Sequence, residues 1–254
     1  MLVQFKDNRD NCLGKIVNSR DNENEDNDDR CDNSSGIWPK IFFIEANISA
    51  GKSTLVEKLR KIPNAIVSTE PLELWLDMVD ENGVNILNNF YADTDKYSYV
   101  FQGFTFLTRI EKIKAIPRNE DIKYVFVERS IFSDKNVFAQ NCYNSGLLNL
   151  IEWKIYNRWF KMANEMLGID DYNFIYLQCP PEECLRRLKE RNREEEVKVS
   201  LEYLRQLEYR HEEWFSNSEK KPVLKLDSTK NYRDNPEILD EIIQKILAFA
   251  ENCK

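Results

Sequence analysis

One histidine, His211, is all that the 254 residues contain, and that scarcity removes several chemistries. Multi-histidine metal centres are excluded, and a serine–histidine–aspartate triad has only this imidazole to draw on. The six cysteines show no CxxC spacing and are spread over a large chain, so a reduced compartment is the simpler reading. No apolar run approaches the roughly 18 residues of a membrane-spanning helix. Positive charge is also lacking: the net charge of −8 leaves no basic footprint for nucleic acid, so any polyanionic ligand must be steered locally. Residues 1–36 are nearly free of aromatics and peak in the acidic run Asp21–Asp29. They bury too little apolar area to offset their ordering entropy and read as a solvated tail. They are too acidic for a transit peptide and lack a secretion signal's apolar stretch, so a cytoplasmic protein is expected. The folded body is expected over 37–254, starting near Ile37-Trp38-Pro39, and is long enough for one sizeable α/β domain.

What is present centres on residues 40–60. The apolar run Ile41–Ile44 leads through Asn47, Ile48, Ser49 and Ala50 into Gly51-Lys52-Ser53-Thr54, after which Leu55, Val56 and Leu59 recur at helical spacing. Strand, tight loop and helix form the context of a phosphate-binding loop. Its backbone N–H groups and the helix N-terminus make a concave anion site. Lys52 supplies a point charge for the β- and γ-phosphates, and Ser53 a hydroxyl for Mg²⁺. One position departs from the pattern, which wants glycine where Ala46 stands. If that backbone needs positive φ, the methyl costs about 1 kcal/mol or more; if it continues the strand, the cost is small.

Further strands are expected at 65–69, 123–127, 173–178 and 223–226. Helices are expected over 72–79, 84–116, 134–167, 182–191, 201–215 and 238–250. Strands alternating with helices imply a parallel sheet covered on both faces, with ligands outside the carboxyl ends of its strands. The phosphate loop, Glu70 and Glu128-Arg129 all sit at strand ends, so three polar groups converge on one rim. There Glu128 is placed to hold Mg²⁺, Arg129 to reach a transferring phosphoryl group, and Glu70 to orient an attacking hydroxyl. The basic stretch Arg186, Arg187, Arg191 and Arg193 reads either as a lid over the phosphates or as a solvated helix face paired with Glu190, Glu194 and Glu195. His211 reads as a structural residue of a helix, and the aromatic stripes from Tyr91 to Phe106 and Trp153 to Phe160 mostly as core.

These residues, from Glu45-Ala-Asn-Ile-Ser-Ala-Gly-Lys-Ser-Thr54 onward, resemble a known family. Glu70-Pro71 with Trp75, Tyr91 eleven residues before Gln102, Arg109, Glu128-Arg-Ser-Ile-Phe-Ser-Asp134, and Arg187, Arg191, Arg193 and Glu196 follow in order and spacing. The set is similar to the deoxyribonucleoside kinases, most of all their deoxycytidine/deoxyguanosine/deoxyadenosine branch, over roughly residues 38–250. The resemblance implies a P-loop kinase fold, α/β, with a five-stranded parallel sheet covered by helices on both faces and a short arginine-rich lid at about 186–197. It implies a homodimer and, with Mg²⁺, transfer of the γ-phosphate of ATP or another triphosphate to the 5′-OH of a deoxynucleoside. Glu70, Arg129 and Lys52 then match the catalytic groups, and Ser53 and Glu128 the metal ligands. The loop residues Asn47 to Thr54, with Arg187, Arg191 and Arg193, match the ATP site. Trp75 and Phe138 match the base slot, Gln102, Arg109 and Asp134 the groups that read the base edge, and Tyr91 and Glu196 the pair at the sugar 3′-OH. Asn231 and Tyr232 fall where the family packs a loop on the donor base.

A carboxylate at 134 accepts from the exocyclic amine of cytosine or adenine and repels O4 of thymine, and Arg109 can donate to O6 of guanine. The expectation is deoxycytidine or a deoxypurine over thymidine, with packing around Gly103, Phe104 and Thr105 setting pocket width. Two rivals share the fold. A nucleoside monophosphate kinase wants extra arginine where this chain offers Glu70. A non-catalytic relative, such as the one within respiratory complex I, is favoured only by Ala46.

Overall fold

The computed structural model describes residues 39–253 except 118, 120, 170, 171, 218–220, 233 and 234. The expected acidic tail, and Ile37 and Trp38 of the expected start of the body, lie outside the described residues.

Strand β1 (Lys40–Ala46) is the centre of the sheet. Its β-branched and aromatic residues favour extended backbone, and both of its faces are covered. Phe42, Ile44 and Ala46 pack with Leu55 and Leu59 of α1 (Lys52–Leu59) and with Ile242 and Ile246 of the closing helix. Ile41 and Phe43 face the other way, toward Phe106, Tyr156 and Ala163. Burying one such Phe contributes about 2–3 kcal/mol, so β1 is anchored twice over.

The remaining elements follow in alternation: β2 (Ala65–Ser68), α2 (Leu72–Asp77), α3 (Ile86–Ala92), α4 (Thr94–Lys114) and β3 (Tyr124–Glu128). After them come α5 (Ile131–Ser133), a π-helical stretch (Asp134–Ala139), α6 (Gln140–Asn144), α7 (Leu150–Leu167) and β4 (Tyr172–Gln178). Next are α8 (Pro181–Arg191), a 3₁₀ turn (Glu194–Glu196), α9 (Leu201–Ser216), β5 (Val223–Asp227) and α10 (Pro236–Asn252). The five strands pair in parallel in the order β2-β3-β1-β4-β5. Ile44 is in register with Glu128, so the exits of β1 and β3 lie side by side.

Three expectations need correction. The helix expected over 84–116 is two helices, because Asp93 turns its carboxylate onto the Lys96 N–H at 3.2 Å and starts a new helix there. The helix expected over 134–167 breaks at 145–149. Gly146 takes φ 77°, and Asn149 opens α7 with a reciprocal cap in which Glu152 returns to its N–H. The third strand runs one residue further than expected, so Glu128 belongs to the sheet itself and is held by its ladder.

Candidate active site

Ala46 ends β1 in register with Leu177, buried and at negative φ, so its methyl extends the core instead of straining the loop. The left-handed positions lie further on, at Ser49 (φ 59°) and Gly51 (φ 101°). Gly51 has a second reason to lack a side chain: a Cβ there would stand 3.2 Å from Ser228 Oγ and 3.3 Å from the Tyr232 ring. The loop is tethered from three sides. Asn47 Nδ2 donates to the Leu204 carbonyl at 2.8 Å, Lys52 Nζ to the Asn47 carbonyl at 3.1 Å, and the Ser228 hydroxyl to the Ala50 carbonyl. A loop fixed in this way presents its amides without reorganisation.

Loop, strand exits and helices enclose a cavity of about 560 Å³. Asn47 is buried beneath its loop; residues 48–54 face the cavity, with Glu128, Arg129, Arg187, Arg191, Arg193 and Glu196. Glu70, Trp75, Tyr91, Gln102, Arg109, Asp134 and Phe138 complete its other end. Every candidate except Asn47 therefore reaches one space. Of the three residues expected to set its width, only Thr105 lines it; Gly103 faces Trp159 on the opposite side of α4.

The electrostatic centre is a chain of largely buried charges. Arg109 Nη2 lies 2.6 Å from Glu70 Oε1, and Arg109 Nε lies 2.9 Å from Asp134 Oδ1. Arg129 Nε approaches the same Glu70 oxygen at 3.3 Å. Burial alone would raise the Glu70 carboxyl, but Arg109, Arg129 and Lys52 outweigh it and hold it at about 2. Lys52 moves the other way. Burial and the repulsion of Arg129 pull its ammonium down to about 8, against support from Glu128 and Glu70. Burial also pushes the Asp134 carboxyl up, with Arg109 opposing.

Arg129 occupies the left-handed region at φ 63°. Three consecutive residues of β1 hold that turn: Ile44 O accepts from the Arg129 N–H at 3.0 Å, Glu45 Oε1 from the Ser130 hydroxyl at 2.5 Å, and Ala46 O from Arg129 Nη1 at 2.8 Å. The guanidinium lies over the Phe138 ring at 4.7 Å. Asp134 and Phe138, four apart in the π-helical stretch, share one face of it and both line the cavity.

The basic stretch divides. Arg186 is exposed and bonded to Glu183 and Glu190, so for it the solvated-face reading holds. Arg187 turns inward, donating to the Thr229 and Lys230 carbonyls at 3.0 and 3.2 Å, with its Nη1 3.6 Å from where a Gly51 Cβ would be. Arg191 and Arg193 both pair with the buried Glu196, which also raises the Tyr91 phenol after burial.

A family model described as deoxynucleoside kinase matches residues 42–251. The chain is 34% identical over 238 residues to deoxycytidine kinase 1 of Xenopus laevis, covering 83% of this chain and 90% of that one. It is 37% identical over 215 residues to a probable deoxycytidine kinase of fowlpox virus, with 83% and 88% covered. It is 32% identical over 243 residues to the mitochondrial deoxyguanosine kinase of Xenopus laevis, with 83% and 89% covered. The chain belongs to the deoxynucleoside kinase family. It is therefore an enzyme that phosphorylates deoxynucleosides.

In this kinase, as expected, His211 is structural: its Nδ1 meets the Leu207 carbonyl at 2.7 Å and its ring stacks on Tyr176. Burial, with Arg129 nearby, pulls it down to about 3, so it stays neutral at physiological pH. Two supporting residues escaped sequence reasoning. Ser228 was hidden because its partner Ala50 is 178 residues away. Glu45 was visible only as part of the loop motif, yet it is fully buried beneath the Arg129 turn.

Burial pushes the Glu45 carboxyl up to about 7 despite its bond from Ser130 and the charge of Arg129. A raised folded value means that the folded chain binds the proton more tightly than the unfolded chain, whose value is 4.5. Stability therefore declines as pH rises from 4.5 through about 7. Glu45→Gln keeps an acceptor for Ser130 and is expected to remove this decline, gaining about 3 kcal/mol at pH 8 relative to the parent. Urea unfolding of both proteins at pH 6 and 8 checks it; parallel pH slopes rule it out.

Proposed function

We propose that this enzyme transfers the γ-phosphate of ATP to the 5′-OH of deoxycytidine or a deoxypurine, in preference to thymidine. The loop amides from Asn47 to Thr54 and Lys52 take the triphosphate, and Arg187, Arg191 and Arg193 close over it. Ser53 and Glu128 are hard oxygen donors facing the same cavity and would hold Mg²⁺, which supplies charge neutralisation between the phosphates. Glu70, ionised throughout the physiological range, orients the 5′-OH and collects its proton late, and Arg129 meets the transferring group. Tyr91 and Glu196 hold the 3′-OH. Trp75 and Phe138 flank the base.

One observation carries the base assignment. Gln102 Oε1 and Arg109 Nη1 are buried without a hydrogen-bond partner among the described residues, and Asp134 Oδ2, 2.7 Å from Arg109 Nε, forms no aligned bond. Unpaired buried acceptors and a donor at a ring-lined slot call for a ligand edge that supplies an amine. Cytosine and adenine do so, whereas thymine turns O4 toward the carboxylate. A monophosphate acceptor fits poorly, since Glu70 would face its phosphate. Turnover of the four deoxynucleosides with ATP-Mg²⁺ tests the reading. Thymidine is expected to trail by at least about tenfold in kcat/KM, and thymidine as best substrate overturns the assignment.

The enzyme is further proposed to act as a cytoplasmic homodimer. Support for the dimer is an exposed apolar stripe on α7 (Leu150, Ile151, Trp159, Met162 and Met166), joined by Val100 and Leu107 of α4. Such a stripe is larger than solvent tolerates singly. Met162→Glu is expected to shift the protein from dimer to monomer in sedimentation velocity; an unchanged coefficient removes this face as the interface. Among the described residues no helix is long and apolar enough to cross a membrane.

A further inference from the structure

Behind the base slot lies a buried thiol that the proposed chemistry does not use. Cys142 of α6 is 1% exposed and packs in one apolar cluster with Trp75, Phe101 and Leu148. Its sulfur accepts a hydrogen bond from Gln102 Nε2 of α4 at 3.8 Å, although the two residues are 40 apart in the chain. Gln102 lines the cavity and is 2% exposed, and its Oε1 has no hydrogen-bond partner among the described residues. One end of the amide is thus engaged by sulfur, and the other is left for whatever enters the slot.

The backbone on both sides is fixed. Thr105 Oγ1 donates to the Gln102 carbonyl at 3.1 Å, and the Cys142 carbonyl accepts from the Leu147 N–H at 2.9 Å. Rotation of the amide about its last bond is the remaining freedom, and that torsion is broad and roughly two-fold. The bland reading of Cys142 is a small apolar side chain filling core. It leaves unexplained why a buried amide sets its amine against this sulfur and leaves its oxygen unpaired.

We propose that Cys142 is a specificity-determining residue: by holding Gln102 Nε2 it turns the amide so that its oxygen meets the base, and the slot then favours a ring amine over a ring carbonyl. Cys142 acts through Gln102, so it is a positioning residue. The proposal deepens the base assignment made above and rests on it.

An amide offers a donor or an acceptor according to which end faces the ligand. Free to turn inward, Nε2 would donate to O4 of uracil or thymine, or to O6 of hypoxanthine. With Nε2 held back, such a carbonyl meets Oε1, acceptor against acceptor, and both oxygens are buried unpaired. The amine of cytosine or adenine instead donates to Oε1. Its second hydrogen is then available to Asp134 Oδ2, the other buried acceptor without an aligned partner. Burial pushes the Cys142 thiol up to about 12, so it stays neutral at physiological pH and keeps lone pairs that accept. A sulfur acceptor is weak, but here it has only to bias one rotation.

The test uses nucleosides matched in size. Deoxycytidine and deoxyuridine differ in an amine against a carbonyl, with the ring proton that follows from it, and deoxyadenosine and deoxyinosine are the purine counterpart. Values of kcat/KM with ATP-Mg²⁺ are measured for the parent enzyme and for Cys142→Ala, Cys142→Val and Cys142→Ser. The pair that the parent turns over faster decides. Its amine-over-carbonyl ratio is expected to fall about tenfold in the Ala and Val variants, with KM for ATP unchanged. Cys142→Ser, whose hydroxyl accepts from the same amine, is expected to stay within about threefold of the parental ratio. Val nearly restores the side-chain volume, so a fall in Cys142→Ala alone marks a packing defect and overturns the proposal. A Ser variant that falls with the apolar two overturns it as well. A parent enzyme that prefers deoxyuridine and deoxyinosine removes the base assignment and this proposal together. A parent that prefers the amines, matched by both apolar variants, removes Cys142 alone.

Discussion

Glu70→Gln is expected to lower kcat about a thousandfold while the deoxynucleoside KM moves only a few-fold, the signature of a group that acts at the transition state. The substitution keeps the shape and the oxygen that meets Arg109 but removes a negative charge that lies within ion-pair distance of both Arg109 and Arg129. A carboxyl held at about 2 cannot pull a proton from an alcohol in the ground state; in the role proposed for it, it takes the proton once the developing phosphate ester has made it acidic. Two pH consequences follow. No acid limb from Glu70 appears between pH 5 and 8, because its folded value lies far below that window. In contrast, kcat/KM for ATP in the parent enzyme falls above about pH 8, where free Lys52 loses its proton. Glu70 supports the Lys52 charge, so in Glu70→Gln that alkaline break moves to lower pH. Stopped-assay rates from pH 5 to 9.5 decide it. A variant retaining a tenth or more of the parent kcat removes Glu70 from the chemistry.

Asp134→Ala should collapse discrimination between deoxycytidine and thymidine by about a hundredfold in the ratio of kcat/KM values. The gain for thymidine comes from lost repulsion at O4, and the loss for deoxycytidine from a missing acceptor. Stability pays a separate toll. Arg109 and Asp134 are 5% and 1% exposed, so deleting the carboxylate strands a buried guanidinium. About 3 kcal/mol of unfolding free energy is expected to go, the lower end for a broken buried pair because Glu70 still contacts Arg109. Urea titration reads the stability term independently of the kinetics. A variant that unfolds earlier yet keeps the parental base ratio would show that Asp134 only braces Arg109.

Legibility in the sequence tracked the range of the interactions. The phosphate loop could be read because its anion site is made by contiguous backbone, and Ala46 resolved once the strand was seen to run through it. Five strands were legible from apolar runs bounded by turn residues. Their order was not, since nothing local in Ala65–Ser68 says that it will pair with β3 and leave β1 to the centre. The helix breaks at Asp93 and Asn149 were missed because apolar spacing continues through them, while the caps depend on one side chain turning back. The π-helical stretch left no mark, because its sequence is as good an α-helix. The resemblance supplied Phe138 with Trp75 and Asp134 with Arg109; being four apart in a helical stretch, Asp134 and Phe138 share one face and line one slot.

The strand order has a genealogical consequence. Glu70, Trp75, Tyr91, Gln102, Arg109, Arg129, Asp134 and Phe138 fall in one uninterrupted stretch of chain between β2 and the π-helical turn, on one flank of the central strand. In the proposed assignment the triphosphate side draws on the loop after β1 and on segments beyond β4 and β5, with Glu196 as the acceptor-side group supplied from there. A single recombination cassette spanning roughly residues 65–140 could therefore exchange the nucleoside taken between cousins of this enzyme and leave the fuel-handling machinery inherited intact.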